Sequence, residues 1–284
     1  MGKSFRWRHR SLKRRSRLRR AMAPLAGEMI GLFDSGLGGL SVARAVRALL
    51  PRHDLLYLAD TAYCPYGPLA PEVVQARALA CATWLVKQGA GVVVVACNTA
   101  TSAAIEVLRA RLSVPIVGME PGLKPAVAAT RTGRVAVLAT SGTLGGERFQ
   151  RLRERFAHGA EVVTVACPAM VQLVEEGELD GPRARAVVAA CVEPLSARGV
   201  DTLVLGCTHF PALRPLIAAA APEATIIDTG PAVAAQTVRV ASAAGIAPGD
   251  ATMRCATTGD PALVAPALAR VWGAPLPLEG IRDL

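Results

Sequence analysis

Short apolar runs, each closed by small polar residues, alternate along the chain with longer stretches whose apolar residues recur at helical spacing. The clearest run is Val92–Val95, four consecutive valines. An unbroken β-branched run predicts a strand buried on both faces, as in a parallel sheet covered by helices. It ends at Cys97-Asn98-Thr99, and a helical pattern begins near Ser102. Val200–Pro211 repeats this build, with an apolar run, a glycine, and then Cys207-Thr208-His209. Further strands are predicted at Ile30–Phe33, Asp54–Ala59, Val114–Gly118, Arg134–Ala139, Glu161–Ala166, Ala224–Asp228 and Thr252–Ala256. Helical patterns fill the gaps, among them Leu40–Leu50, stopped by Pro51, and Glu72–Gln88. Regular βα alternation with short connections predicts an α/β protein of two pseudo-symmetric, doubly wound parallel-sheet domains, flavodoxin-like in build. The expected division is 29–120 with 228–284 as one domain and 121–227 as the other, crossing near Met119-Glu120-Pro121-Gly122.

In such sheets ligands bind at the carboxyl ends of the strands, and the polar residues of this chain gather there. Asp34-Ser35-Gly36-Leu37-Gly38-Gly39 follows the first strand and opens a helix. This resembles a turn whose backbone N–H groups receive an anion, although it lacks the dinucleotide G-x-G-x-x-G spacing and the lysine of a P-loop. Asp60 stands at the next strand tip, ahead of Pro65-Tyr66-Gly67, a rigid turn suited to presenting amides and a phenol. Thr140-Ser141-Gly142-Thr143 and Cys167-Pro168 close strands of the second half. The acidic pair Glu175-Glu176 ends a helical run, where the helix dipole disfavours negative charge. That placement points to a use for one of them.

Taken alone, Cys97 beside valines is equally a small buried hydrophobe. The second cysteine at the matching place in a similar unit favours a site shared between two half-molecules. A disulfide or metal pair is disfavoured, since neither cysteine has CxxC spacing and seven irregularly spaced cysteines without a secretory signal point to reduced cytoplasmic thiols. The formal charge of +10 comes from the first 27 residues, which hold ten Lys or Arg and no acid; the rest balances 22 basic against 22 acidic residues. Such a block is expected to be a disordered tail (1–28), with weak nucleic-acid or anionic-surface contact at most. Pro24, Gly27 and Glu28 interrupt the apolar stretch that a twin-arginine export signal needs, and Met22 or Met29 would serve as alternative starts. No transmembrane run appears, so no membrane insertion is expected.

Phosphoryl transfer lacks its P-loop, and hydride transfer its fingerprint. Pyridoxal chemistry lacks a well-placed lysine, because beyond the tail only Lys87 and Lys124 occur, neither at a strand tip. What remains is one thiol per lobe. Two thiols facing one ligand can act as a pair of general bases, one removing a proton from carbon while the other returns one on the opposite face.

The motifs that carry this chemistry resemble one family. IGLFDSGLGGLSV at Ile30–Val42, YLADTAYCPYG at Tyr57–Gly67, VVACNTATS at Val94–Ser102, GMEPG at Gly118–Gly122, CPAMVQLVEEG at Cys167–Gly177, LVLGCTHFPAL at Leu203–Leu213 and TTGDPALVAPALARVWG at Thr257–Gly273 are similar to those of the glutamate racemases, in the cofactor-independent aspartate/glutamate racemase superfamily. Departures are Tyr63-Cys64, where the family more often has a basic and then an aliphatic residue, Gly145-Gly146, and Gln172 in place of a common proline. The resemblance implies an isomerase that needs no cofactor and no metal and makes D-glutamate from L-glutamate for peptidoglycan in the cytoplasm, as a homodimer. It implies Cys97 and Cys207 as the two acid/base catalysts, Asp34 assisting Cys97, and His209 with Glu175 assisting Cys207; Glu176 rivals Glu175 because helix phase is open. In the family the first-lobe thiol deprotonates the D isomer and the second-lobe thiol the L isomer. Around the substrate it implies Asp34, Ser35, Asp60, Pro65, Tyr66, Gly67, Asn98, Thr99, Thr140, Thr143, Thr208 and His209.

Overall fold

The valine run lies inside a six-stranded sheet, and its four side chains have no solvent exposure. The computed structural model describes residues 28–281 and 284. The basic segment 1–27, with its expected anionic partners, lies outside them. In chain order the first elements are β1 (Met29–Asp34), α1 (Leu40–Leu49), β2 (Leu55–Ala59), α2 (Pro71–Lys87), β3 (Ala90–Val95), α3 (Asn98–Arg111) and β4 (Ile116–Val117). Then come α4 (Leu123–Ala129), β5 (Arg134–Ala139), α5 (Ser141–Leu144), α6 (Glu147–Phe156), β6 (Glu161–Ala166), α7 (Pro168–Glu175), α8 (Pro182–Ala197), β7 (Thr202–Leu205), α9 (Arg214–Ala220) and β8 (Thr225–Asp228). The chain ends through α10 (Gly230–Ala243), β9 (Met253–Thr257), α11 (Pro261–Trp272) and β10 (Leu278–Gly280).

One sheet has the order β10-β9-β2-β1-β3-β4 and the other β6-β5-β7-β8. Every pairing is parallel. The order 2-1-3-4 therefore recurs as 6-5-7-8, and this is the structural content of the internal similarity seen around the two cysteines. Burial on both faces is why the strands are nearly all apolar; each valine of β3 contributes about 1.5–3 kcal/mol by leaving water.

Local chemistry sets the helix boundaries. Pro71, Pro168, Pro182 and Pro261 each occupy the first helical position, where the missing N–H costs nothing and φ is already suitable. Gly273 ends α11 in the left-handed region, at φ 88°. Two elements differ from the expectation. The helix after β3 begins at Asn98 rather than near Ser102, because the Cys97 side chain caps it and Asn98 and Thr99 form its first turn. The edge strand β10 was not anticipated; it spans three residues, two of them exposed, too few to leave a pattern. Among the described residues, no helix is long and apolar enough to cross a membrane.

Candidate active site

In each sheet the strand order reverses between the first and third strands of the repeat, and the crevice there is the natural binding position. Asp34 ends β1 and Cys97 follows β3; Thr140 follows β5 and Cys207 follows β7. Both thiols and Thr140 line a single narrow cavity between the two sheets. Ser35, Pro65, Tyr66, Gly67, Asn98 and Thr99 complete it from the first lobe, and Thr143, Val171, Thr208 and His209 from the second. Among the described residues, no lysine or arginine lines it.

Cys97 is buried, in extended conformation, and its Sγ accepts the Ala100 N–H at 3.4 Å. A helix N-terminus favours a thiolate, but burial, with the Asp34 carboxylate adding to it, pushes this thiol well above its ordinary range. Asp34 has no exposed surface. Its Oδ1 accepts the Ser35 N–H at 2.8 Å, and its Oδ2 accepts the Gly39 N–H at 2.6 Å and the Thr208 hydroxyl of the other lobe at 3.2 Å. Burial raises the Asp34 pKa, against the opposing charge of His209 and a hydrogen bond with Cys97.

On the other side, the His209 Nδ1 lies 3.5 Å from the Cys207 Sγ, and its Nε2 lies 2.6 Å from Glu175 Oε1. Burial alone would lower the His209 pKa; the charge of Cys207 and hydrogen bonds with Cys207, Cys64 and Glu175 raise it well above the usual value. Glu175 is therefore the carboxylate that reaches histidine, while Glu176 points outward to Arg183 and Gln172. Glu175 Oε1 also accepts the Leu37 N–H at 2.6 Å. The amides of the glycine turn thus serve two protein carboxylates, Asp34 and Glu175, rather than a bound anion. Its glycines permit close approach: a Cβ on Gly36 would lie 2.2 Å from Glu175 Oε1, and one on Gly38 would lie 2.3 Å from His209 Nδ1.

Hydroxyls join the lobes opposite this network. Thr99 Oγ1 lies 2.8 Å from Thr140 Oγ1 and 3.3 Å from Thr143 Oγ1, and the Ser141 hydroxyl donates to the Gly67 carbonyl at 3.2 Å. Asn98 stands apart from them. Both its Nδ2 and its Oδ1 are buried without a partner among the described residues. An unmade hydrogen bond costs about 1–3 kcal/mol per buried group, so the side chain is suited to a ligand offering both an acceptor and a donor. An amino acid has both.

Asp60, expected beside the substrate, is committed elsewhere and does not line the cavity. Arg77 binds it through two nitrogens, at 2.9 and 2.7 Å, and Thr258 donates to it at 2.7 Å. Tyr66 donates its phenol to the same carboxylate, so Asp60 holds the turn that forms one wall. Arg77, seventeen residues downstream, also stacks on Tyr63 at 3.9 Å. It was missed because its helix is otherwise amphipathic and one arginine carries no signal. Arg77→Leu leaves a buried, unpaired carboxylate and is expected to cost about 3–5 kcal/mol, to be measured as a lowered denaturant midpoint. A midpoint equal to the wild type would mean that Asp60 is held by Tyr66 and Thr258 alone.

The glutamate racemase of Herpetosiphon aurantiacus is 50% identical over 237 residues, covering 82% of this chain and 93% of its own. That of Pseudomonas aeruginosa PAO1 is 49% identical over 250 residues, covering 87% and 94%. Among solved structures, Escherichia coli glutamate racemase in complex with L-glutamate and the activator UDP-MurNAc-Ala superposes with a TM-score of 0.80 at 30% identity, covering 90% of this chain and 99% of that one. A Bacillus anthracis glutamate racemase gives 0.80 at 31% identity, covering 91% and 98%. Residues 40–237 match the Asp/Glu/hydantoin racemase family, and with relatives of this identity along most of its length the chain belongs to that family.

Proposed function

We propose that this enzyme interconverts L- and D-glutamate by a two-base reaction in which Cys207 and Cys97 exchange protons with the α-carbon from opposite faces. The observation that carries this reading is one buried thiol from each lobe on the same cavity, beside an asparagine whose amide has no partner among the described residues. The curated relatives named for glutamate support the substrate.

The chemistry follows from how the two thiols are held. The α-proton of an amino acid is far less acidic than a thiol, so the base must be a thiolate and the carbanion must be stabilised as it forms. His209, with Nδ1 at the Cys207 Sγ and its ring fixed by Glu175, supports a thiolate at Cys207. Cys97, buried beside a carboxylate, is held as the protonated thiol. The resting site is thus poised to take the proton from L-glutamate with Cys207 and to deliver one with Cys97. For the reverse reaction Cys97 must lose its proton, and the raised pKa of Asp34 suits it as the acceptor. Threonine hydroxyls, Asn98 and the Ser35–Gly67 rim supply donors to the substrate carboxylate as negative charge moves onto it. Exclusion of water from the small cavity strengthens each of these interactions. The reaction then needs no cofactor, and the resemblance supports D-glutamate for cytoplasmic peptidoglycan synthesis as its purpose.

The test is chiral chromatography of each enantiomer of glutamate and of aspartate, incubated separately with purified protein and no added cofactor. Glutamate converting in both directions to equal concentrations, well ahead of aspartate, is expected. Conversion of aspartate alone, or of neither, would overturn the substrate assignment.

A further inference from the structure

The two-base reaction leaves a third thiol unused at the edge of the site. Cys64 precedes the Pro65-Tyr66-Gly67 turn, does not line the cavity, and is partly accessible. Its sulfur, a Glu175 carboxylate oxygen and a ring nitrogen of His209 all lie within 4.8 Å of one another. These residues come from three separate elements: the loop after β2, the end of α7 and the loop after β7.

We infer that Cys64, Glu175 and His209 form a zinc-binding site, through the Cys64 sulfur, the free carboxylate oxygen of Glu175 and His209 Nε2, and that occupying it switches the enzyme off. A thiolate, an imidazole and a carboxylate are the donor types that Zn²⁺ takes, and the thiolate disfavours Mg²⁺ or Ca²⁺. In a tetrahedral zinc site, bond lengths of about 2.0–2.3 Å separate neighbouring donor atoms by about 3.3–3.6 Å. The donor atoms of the cluster already lie within 4.8 Å of one another. Small side-chain rotations would therefore suffice. Glu175 Oε1 already accepts from Leu37 and faces His209, which leaves Oε2 for the cation. Water would take the fourth position. Glu175 has about a fifth of its side chain exposed, so the cluster can be reached from solvent.

Loss of turnover is the part of the inference that rests on the racemase reading. Zinc on Nε2 would leave the ring proton on Nδ1 and displace the Glu175 contact, so His209 could no longer accept the Cys207 proton. Binding itself requires only the three side chains.

The experiment uses the full chain, with Co²⁺ as a coloured stand-in and ZnCl₂ as competitor, alongside glutamate racemisation with and without zinc. The expected results are a thiolate-to-cobalt charge-transfer band that zinc abolishes, of the intensity of one thiolate, and loss of turnover at saturating zinc. Cys64→Ala should lose the band and bind zinc at least about tenfold more weakly, with zinc inhibition read against that variant's own zinc-free turnover. Cys64→Ser, which preserves side-chain size, repeats the test should the alanine variant fold poorly. A wild-type protein without the band, a band of two thiolates, or equal zinc inhibition in wild type and Cys64→Ala would overturn the site. Failure of the metal-free wild type to racemise glutamate would instead sink the catalytic reading, and the cobalt band with its loss in Cys64→Ala would still decide the site.

Discussion

Cys97→Ser and Cys207→Ser are each expected to lower racemisation in both directions by at least about 10²–10⁴-fold, the usual contribution of one general acid–base group. Serine keeps the size and hydrogen bonding of the buried side chain but is far too weak an acid to exist as an alkoxide in this site. Both directions fail together because every turnover uses both groups, one as base and the other as acid. What survives should differ between the variants. With Cys97 replaced, Cys207 still removes the α-proton of L-glutamate and returns one to the same face. The variant should therefore exchange that proton with solvent without inverting the carbon. With Cys207 replaced, exchange should be confined to D-glutamate. Proton NMR of each enantiomer in D₂O reads this directly. Near-normal racemisation by either variant, or exchange of the same enantiomer in both, would contradict the assignment of one thiol to each face.

The second large effect is expected from the groups that assist the thiols. His209 lies at Cys207, and the Asp34 carboxylate acts on the Cys97 thiol, each shifting the pKa of the other. His209→Asn should slow proton removal from the L isomer more than from the D isomer, and Asp34→Asn should do the reverse. The enantiomers have equal free energy in water, so kcat/KM must stay equal in the two directions for every variant. The asymmetry therefore belongs in kcat for each direction and in the primary deuterium isotope effect on each deprotonation. A loss of one helper that shifts a proton transfer by about 2.7 kcal/mol would change its rate about 100-fold. Equal changes in both directions for both variants, with unchanged isotope effects, would reject this division of labour while leaving the two thiols in place.

Much of this architecture is visible in the chain because its two halves carry the same strand order. The runs before Cys97 and Cys207 look alike, and they occupy β3 and β7, equivalent positions in their sheets. Strands buried on both faces announce themselves by composition, as Val92–Val95 do. What stayed hidden depends on three-dimensional neighbours. Asp34-Ser35-Gly36-Leu37-Gly38-Gly39 has the composition of an anion-binding turn, but its amides are taken by Asp34 and by Glu175, 138 residues away from Leu37. Its glycines make room for two side chains of the other lobe. Asp60 sits at a strand tip like Asp34, yet a single arginine on α2 removes it from the cavity wall. The choice between Glu175 and Glu176 turned on one helical step of about 100°, which periodicity over a short helix does not resolve. Asn98 and Thr99 look like loop residues because both are polar, and only the cap from Cys97 makes them helical.

The most direct test of the two-base account is the fate of the α-hydrogen when the wild-type enzyme converts protiated L-glutamate in D₂O, stopped early and separated by enantiomer. The account predicts that the D-glutamate formed carries solvent deuterium, delivered by Cys97, while the remaining L-glutamate is still protiated. Deuterium entering the remaining L-glutamate as fast as the product, or product that retains the substrate's own hydrogen, would contradict it.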